Sequence, residues 1–209
     1  MAVISPALGV NQHRALLDLA RRGTARAAVG LTEMVGRDIR ITALDVSLMK
    51  IQHVPGLLNH PEEPVVGIYL GICGEVKGHI LLLFSPKEAR GLVDMLMGDP
   101  PGSSTTIDEM ARSALAEVGN LTGAFFLAIL EEQTDLNSKP SPPAVMEDMG
   151  AAVLDGPLVC LAESSDDALV INTLFTDNDR EIEAVFLVMP DMESLKAILG
   201  VLEKRWSNN

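Results

Sequence analysis

The chain repeats itself. HILLLFSP, followed by a helix-like stretch that ends at Gly98, has a counterpart in EAVFLVMP, followed by a stretch that reaches Gly200. VVGIYLGI precedes the first as ALVINTLF precedes the second, and each half opens with a long helical pattern. A period of about a hundred residues is too long for a solenoid, whose units are shorter. It implies a duplicated unit, with two lobes related by a pseudo-twofold. Such units bury their apolar faces by packing helices on a mainly antiparallel sheet, so the expected class is α+β.

The elements follow from periodicity and stop signals. Residues 11–36 read as a helix with apolar positions Leu16, Leu19, Ala20, Ala27, Leu31 and Met34, ending at Gly36. Residues 39–48 read as a strand, and VVGIYLGICG and HILLLFS as an antiparallel pair turning through Glu75 to Gly78. Pro86 opens a helix that Gly98 ends. DPPGSS is a linker, after which Thr106 and Glu109 form a capping-box signature for a long helix to about Glu132. SKPSPP reads as a loop and Ala144 to Met146 as a strand. MGAAVLDGPLVCLAE reads as a short helix packing through Met149, Val153, Leu154 and Leu158. Pro190 opens the last helix, to about Trp206. The chain 1–209 is then one domain, with a first half of 11–98 and a second of 105–206.

Composition removes several function classes. Aromatics are 3% of the chain, too few for base-stacking platforms. A formal net charge of -13 repels phosphate backbones and anionic lipid, so neither nucleic acid nor membrane is an expected partner. Cys73 and Cys160 sit in apolar stretches and are expected to be buried free thiols. The four histidines are scattered, so no metal site is expected. MAVISPALGVNQHR lacks the pattern of a secretory signal, and no apolar stretch reads as transmembrane. The expected location is the cytoplasm. GICGEVKGHI has no phosphate-loop spacing and reads as a hairpin turn, with His79 structural.

Chemistry concentrates on the second long helix. With Ser113 at zero on a wheel of about 100° per residue, Glu117 falls near 40° and Asn120 near -20°. Leu115, Val118, Thr122, Phe125 and Ile129 occupy the opposite side. Ala116 and Ala124 flank the triad and let another surface approach closely. A carboxamide can accept from an attacking water while donating to a phosphoryl oxygen. A carboxylate one turn away would need a cation from the partner, most simply a lysine. The same pattern also describes an ordinary solvated face. From composition, E-x-x-N arises by chance in roughly half of chains this long, and a leading Ser or Asp lowers that to roughly one in twenty.

The chain resembles the CheC, CheX and FliY phosphatases. Their signature is Asp or Ser, three residues, Glu, two residues, Asn, then twenty-two residues and Pro. Ser113, Glu117, Asn120 and Pro143 match it step for step, and the duplicated architecture extends the resemblance over nearly the whole chain. FliY proteins add a switch domain and CheX proteins are shorter, so CheC is the nearer likeness. The resemblance implies a CheC-like pseudo-twofold fold. It implies a hydrolase for the aspartyl phosphate of a CheY-like receiver in two-component chemotaxis signalling. Asn120 would orient the water and Glu117 would pair with the receiver's lysine. Ser113 would support them, and Pro143 would shape the loop. The receiver would supply Mg²⁺, leaving this chain with no cofactor of its own. The family also binds CheD, a receptor deamidase, which leaves open a non-catalytic adaptor that regulates CheD and binds phosphorylated CheY.

Many CheC proteins carry the motif in both long helices. In the first half, Arg14 stands at the leading position, Asp18 at the Glu position and Arg21 at the Asn position. Arginine accepts no hydrogen bond from water, so this first site reads as degenerate. Arg14, Asp18, Arg21 and Arg22 then form a charged face with i,i+4 pairing, or a basic patch for an acidic partner.

Overall fold

The computed structural model describes residues 9–58, 61–162, 167–177 and 180–207. In chain order the elements are α1 (Val10–Val35), β1 (Arg40–Lys50), a 3-10 segment (Ile51–Leu57), β2 (Pro64–Gly74), β3 (Gly78–Phe84) and α2 (Pro86–Met97). They continue with α3 (Glu109–Thr134), β4 (Ser138–Pro140), β5 (Ala144–Met149), α4 (Gly150–Ala162), β6 (Asp167–Thr176), β7 (Glu181–Pro190) and α5 (Met192–Ser207). The strands form one antiparallel sheet in the order β1-β6-β7-β3-β2-β4, with β5 also on β2.

This order is palindromic. The hairpin β2-β3 of the first half abuts the hairpin β6-β7 of the second, and each half's remaining strand lies on the other half's hairpin. Leu82 faces Phe186 across the β3-β7 pair, and these two hold equivalent places in HILLLFSP and EAVFLVMP. The pseudo-twofold therefore runs between them. The outer strands obey it too: Val46 pairs with Ile171, and Val145 with Ile68.

The sheet is buried on both faces. Ile80, Leu82 and Phe84 enter a large core beneath α1, α2, α3 and α5, whereas Leu81 and Leu83 enter a smaller one beneath α4 and the 3-10 segment. Alternate side chains serve different cores, and for this reason the central strands read as unbroken apolar runs.

Several expectations change. Asp108, not Thr106, caps α3, accepting from the Ala111 N–H at 2.9 Å. Part of SKPSPP is strand β4, which pairs with Ile72–Gly74. Pro190 ends β7, and Asp191 caps α5, which passes through Gly200. Met149 closes β5 and is exposed, and Met34 is exposed as well. Cys73 is an exposed free thiol, because it falls near the end of β2 where the sheet runs out; the Cys160 side chain and residues 1–8 lie outside the described residues. Helix α3 is long and apolar enough to cross a membrane, but half of that apolar window is buried inside the domain. Packing against α1 and β2 accounts for its apolarity.

The linker between the halves has a clamp that no sequence pattern announced. Asp94, fully buried in α2, accepts backbone N–H bonds from Gly102 (2.7 Å), Ser103 (3.2 Å) and Ser104 (2.7 Å). Burial pushes its carboxyl up. The Ser104 hydroxyl and the three N–H groups outweigh that and hold it below the ordinary 3.8. A lowered folded value means the stabilisation is complete above pH 3.8 and is lost as pH falls through the folded value. Asp94→Asn loses an acceptor and turns an amide on N–H donors. We expect it to cost about 2 kcal/mol, roughly 4–8 °C of melting temperature by calorimetry at neutral pH. The difference from the parent should shrink at strongly acid pH.

Candidate active site

Helix α3 lies unusually close to the sheet. A Cβ on Gly119 would stand 2.4 Å from Ile68 Cγ2, and one on Gly123 would stand 3.2 Å from Leu70 Cδ2. Leu115, Val118, Thr122 and Ile129 are buried on the packed side and Phe125 partly so. Ser113 is exposed, and Glu117 and Asn120 are half-buried on the opposite side.

The wall facing them is an interrupted edge strand. β4 and β5 pair with the same edge of β2, and between them the chain bulges through Ser141, Pro142 and Pro143. Prolines cannot donate to a ladder, so the pairing has to break here. Ser141 keeps the bulge in place: its N–H donates to Gly71 O at 2.8 Å, and its Oγ accepts from Gly71 N at 2.9 Å. Arg112, next to Ser113, ties α3 to β5, with Nη1 donating to Val145 O at 3.3 Å and Nη2 at 3.7 Å from Glu147.

The result is an open groove of about 490 Å³. Ser113, Ala116, Glu117 and Asn120 line one side, and Pro140 to Pro143 the other. All four residues of the sequence motif are thus brought together. The side chains of Ser113, Glu117 and Asn120 make no ion pair or hydrogen bond among the described residues. An amide and a carboxylate stand side by side, unengaged by the described residues and open to an incoming group. Ser141 and Arg112 are the supports that sequence reasoning missed. Ser141 is one small residue in a proline cluster, and Arg112 acts across 33 residues of chain, so neither left a local signal.

On α1, Asp18 is held by Gln133 Nε2 at 3.3 Å and lies 4.0 Å from Arg22. Arg22 and Arg26 reach Glu132 on α3. Arg14 and Arg21 are exposed. His79, half-buried, bonds through Nδ1 to the Tyr69 hydroxyl at 2.8 Å, and burial lowers its pKa. Among the described residues, no cluster of three or more His, Cys, Asp and Glu side chains could hold a metal.

The chain is 25% identical over 191 residues to the CheY-P phosphatase CheC of Bacillus subtilis, covering 90% of this chain and 91% of that protein. It is 20% identical to the putative CheY-P phosphatase CheC1 of Halobacterium salinarum, covering 94% and 99%. The family model of the chemotaxis phosphatase CheX matches residues 66–161. This chain is thus similar to chemotaxis phosphatases of the CheC and CheX type. The segment that matches CheX runs from β2 into α4 and includes both walls of the groove. Among solved structures, Thermotoga maritima FliY superposes with a TM-score of 0.76 at 19% identity, covering 95% of this chain and 99% of that one. That likeness is one of fold.

Gly119 sits inside the motif, between Glu117 and Asn120. Gly119→Ala gains helix propensity but forces α3 off Ile68. We expect a net loss of about 1–3 kcal/mol in denaturant unfolding, although alanine is the better helix former.

Proposed function

We propose that this chain hydrolyses the aspartyl phosphate of a CheY-like receiver, with Glu117 and Asn120 as its catalytic residues. What supports the reading is that Ser113, Glu117, Asn120 and Pro143 line one open groove, with the three polar side chains uncommitted. The relatives named CheY-P phosphatases agree with it. In this mechanism α3 enters the receiver's phosphorylated pocket. Asn120 Oδ1 accepts from a water, and Nδ2 donates to a phosphoryl oxygen. The water is thereby placed in line with phosphorus and opposite the aspartyl oxygen. The new P–O bond forms from water and the bond to the aspartyl oxygen breaks, giving inorganic phosphate and a free receiver carboxylate. The transition state is loose, so placing the water counts for more than removing its proton. Glu117 takes the receiver's lysine, which offsets its charge beside the phosphoryl group. Ser113 borders the pair and Pro143 shapes the facing loop. The Mg²⁺ is the receiver's.

On the same reading 1–209 is one domain with a single active site in the half 105–206. Its counterpart in 11–98, at Asp18 and Arg21, is degenerate. The protein acts in the cytoplasm, with neither nucleic acid nor membrane as a partner. Asn120→Ala should lower the rate at which the chain releases phosphate from a phosphorylated receiver by about a hundredfold, with an unchanged circular dichroism spectrum and melting temperature. A fully active variant would exclude the water-positioning role.

A second reading makes the chain mainly an adaptor for CheD. The replacement of the amide by Arg21 in one of the two long helices favours it, because hydrolytic capacity is then halved relative to a two-site protein. Pull-down of CheD beside a phosphate-release assay separates the two. Tight capture without hydrolysis would establish the adaptor.

A further inference from the structure

Charge is distributed unevenly along this acidic chain. Residues 10–40 hold six arginines and three carboxylates, whereas the whole chain has a net charge of -13. Four of the six arginines are engaged: Arg22 and Arg26 by Glu132, Arg40 by Asp38, and Arg37 by the Gly98 carbonyl. Arg14 and Arg21 are not. Both are exposed, and neither makes an ion pair or side-chain hydrogen bond among the described residues. Seven positions apart, they lie on one helix face with about 10 Å of axial rise between them. Val10 and Val29, 76% and 58% exposed, lie on the same face by the wheel.

The pseudo-twofold gives this face a meaning. The register that equates Val46 with Val145 places Arg14 at the position of Ser113, Asp18 at that of Glu117 and Arg21 at that of Asn120. Leu44, pushed out at the bulge of β1 and 53% exposed, falls at the position of Pro143. The α1 face thus repeats the arrangement of the α3 face with its chemistry exchanged. Asp18 is committed to Gln133 and Arg22 and is not free to take a partner's lysine. Arginine donates five N–H bonds in a fork that suits phosphoryl oxygens and has no acceptor with which to hold a water.

We infer that the α1 face binds a second copy of the phosphorylated receiver through Arg14 and Arg21 and does not hydrolyse it. The inference rests on the receiver being the partner of the α3 face. The two faces then divide the labour: one removes the phosphoryl group, and the other retains a receiver that still carries it.

The test is calorimetric titration of the full chain with a CheY-like receiver loaded with Mg²⁺ and beryllofluoride, a stable mimic of the phosphorylated form. The expected stoichiometry is two receivers per chain. In the Arg14→Ala/Arg21→Ala variant the second site should weaken at least about tenfold while phosphate release at low receiver concentration is unchanged. That site should also weaken more steeply with added salt than the first. In Asn120→Ala the arginine-dependent site should persist. One receiver per wild-type chain, or two that survive loss of both arginines, would overturn the proposal. So would Arg14- and Arg21-dependent binding to phosphatidylserine vesicles with only one receiver bound, which would assign the face to a membrane. Two receivers bound with no phosphate release by the wild-type chain would sink the phosphatase reading and leave this one standing; release with only one bound does the reverse.

Discussion

The antiparallel contact between β3 and β7 is the constraint on which the rest depends. Leu82 meets Phe186 there, at the pseudo-twofold, and both are fully buried. Phe126 of α3 closes on Phe186 edge to face at 5.3 Å. The seam therefore joins the two halves and also seats the helix that carries the polar motif. Because these strands face cores on both sides, neither half could fold with its hairpin exposed without leaving two apolar surfaces in water. The duplicated sequence is stable as a pair because each half covers the other.

Placement of the groove follows from that seam. α3 lies against β2 at glycine distance, and β2 also carries β4 and β5 on its outer edge. One strand thus positions both walls. Among the described residues, the side chains of Ser113, Glu117 and Asn120, which face the groove, have no hydrogen-bond or ion-pair partner. That arrangement is tolerable because the groove is open to water, whereas in a closed core it would be costly. On the proposed reading α3 presents this face to a receiver, which needs this openness, and the proline bulge pinned by Ser141 provides it without fraying the sheet.

The pseudo-twofold also gives the fold two equivalent faces that differ in their chemistry. On α3, Ser113, Glu117 and Asn120 have no side-chain partner among the described residues. On α1 the equivalent carboxylate was drawn into contacts with Arg22 and Gln133, and arginines took the flanking places. The fold permits this divergence cheaply, since both faces point away from the core that holds the halves together.

Much of this was legible in the sequence, for definite reasons. The repeat, the apolar runs and the helical stripe are periodic, and periodicity is a local record of which side chains face a core. Ser113, Glu117 and Asn120 could be placed on one face because a helix fixes that angle, and the spacing to Pro143 could be counted. What the sequence did not determine are contacts between distant segments. Asp94 reads as an ordinary helix carboxylate until the linker folds back on it, and SKPSPP reads as loop until β2 offers it an edge. Cys73 reads as buried until the end of the sheet exposes it. Ser141 and Arg112 acquire their roles only across the groove. The sequence by itself determined the duplicated unit and the polar face of α3. Only the tertiary structure decided that the face opens onto a groove, because hydrogen bonds and close approaches between remote residues leave no period along the chain.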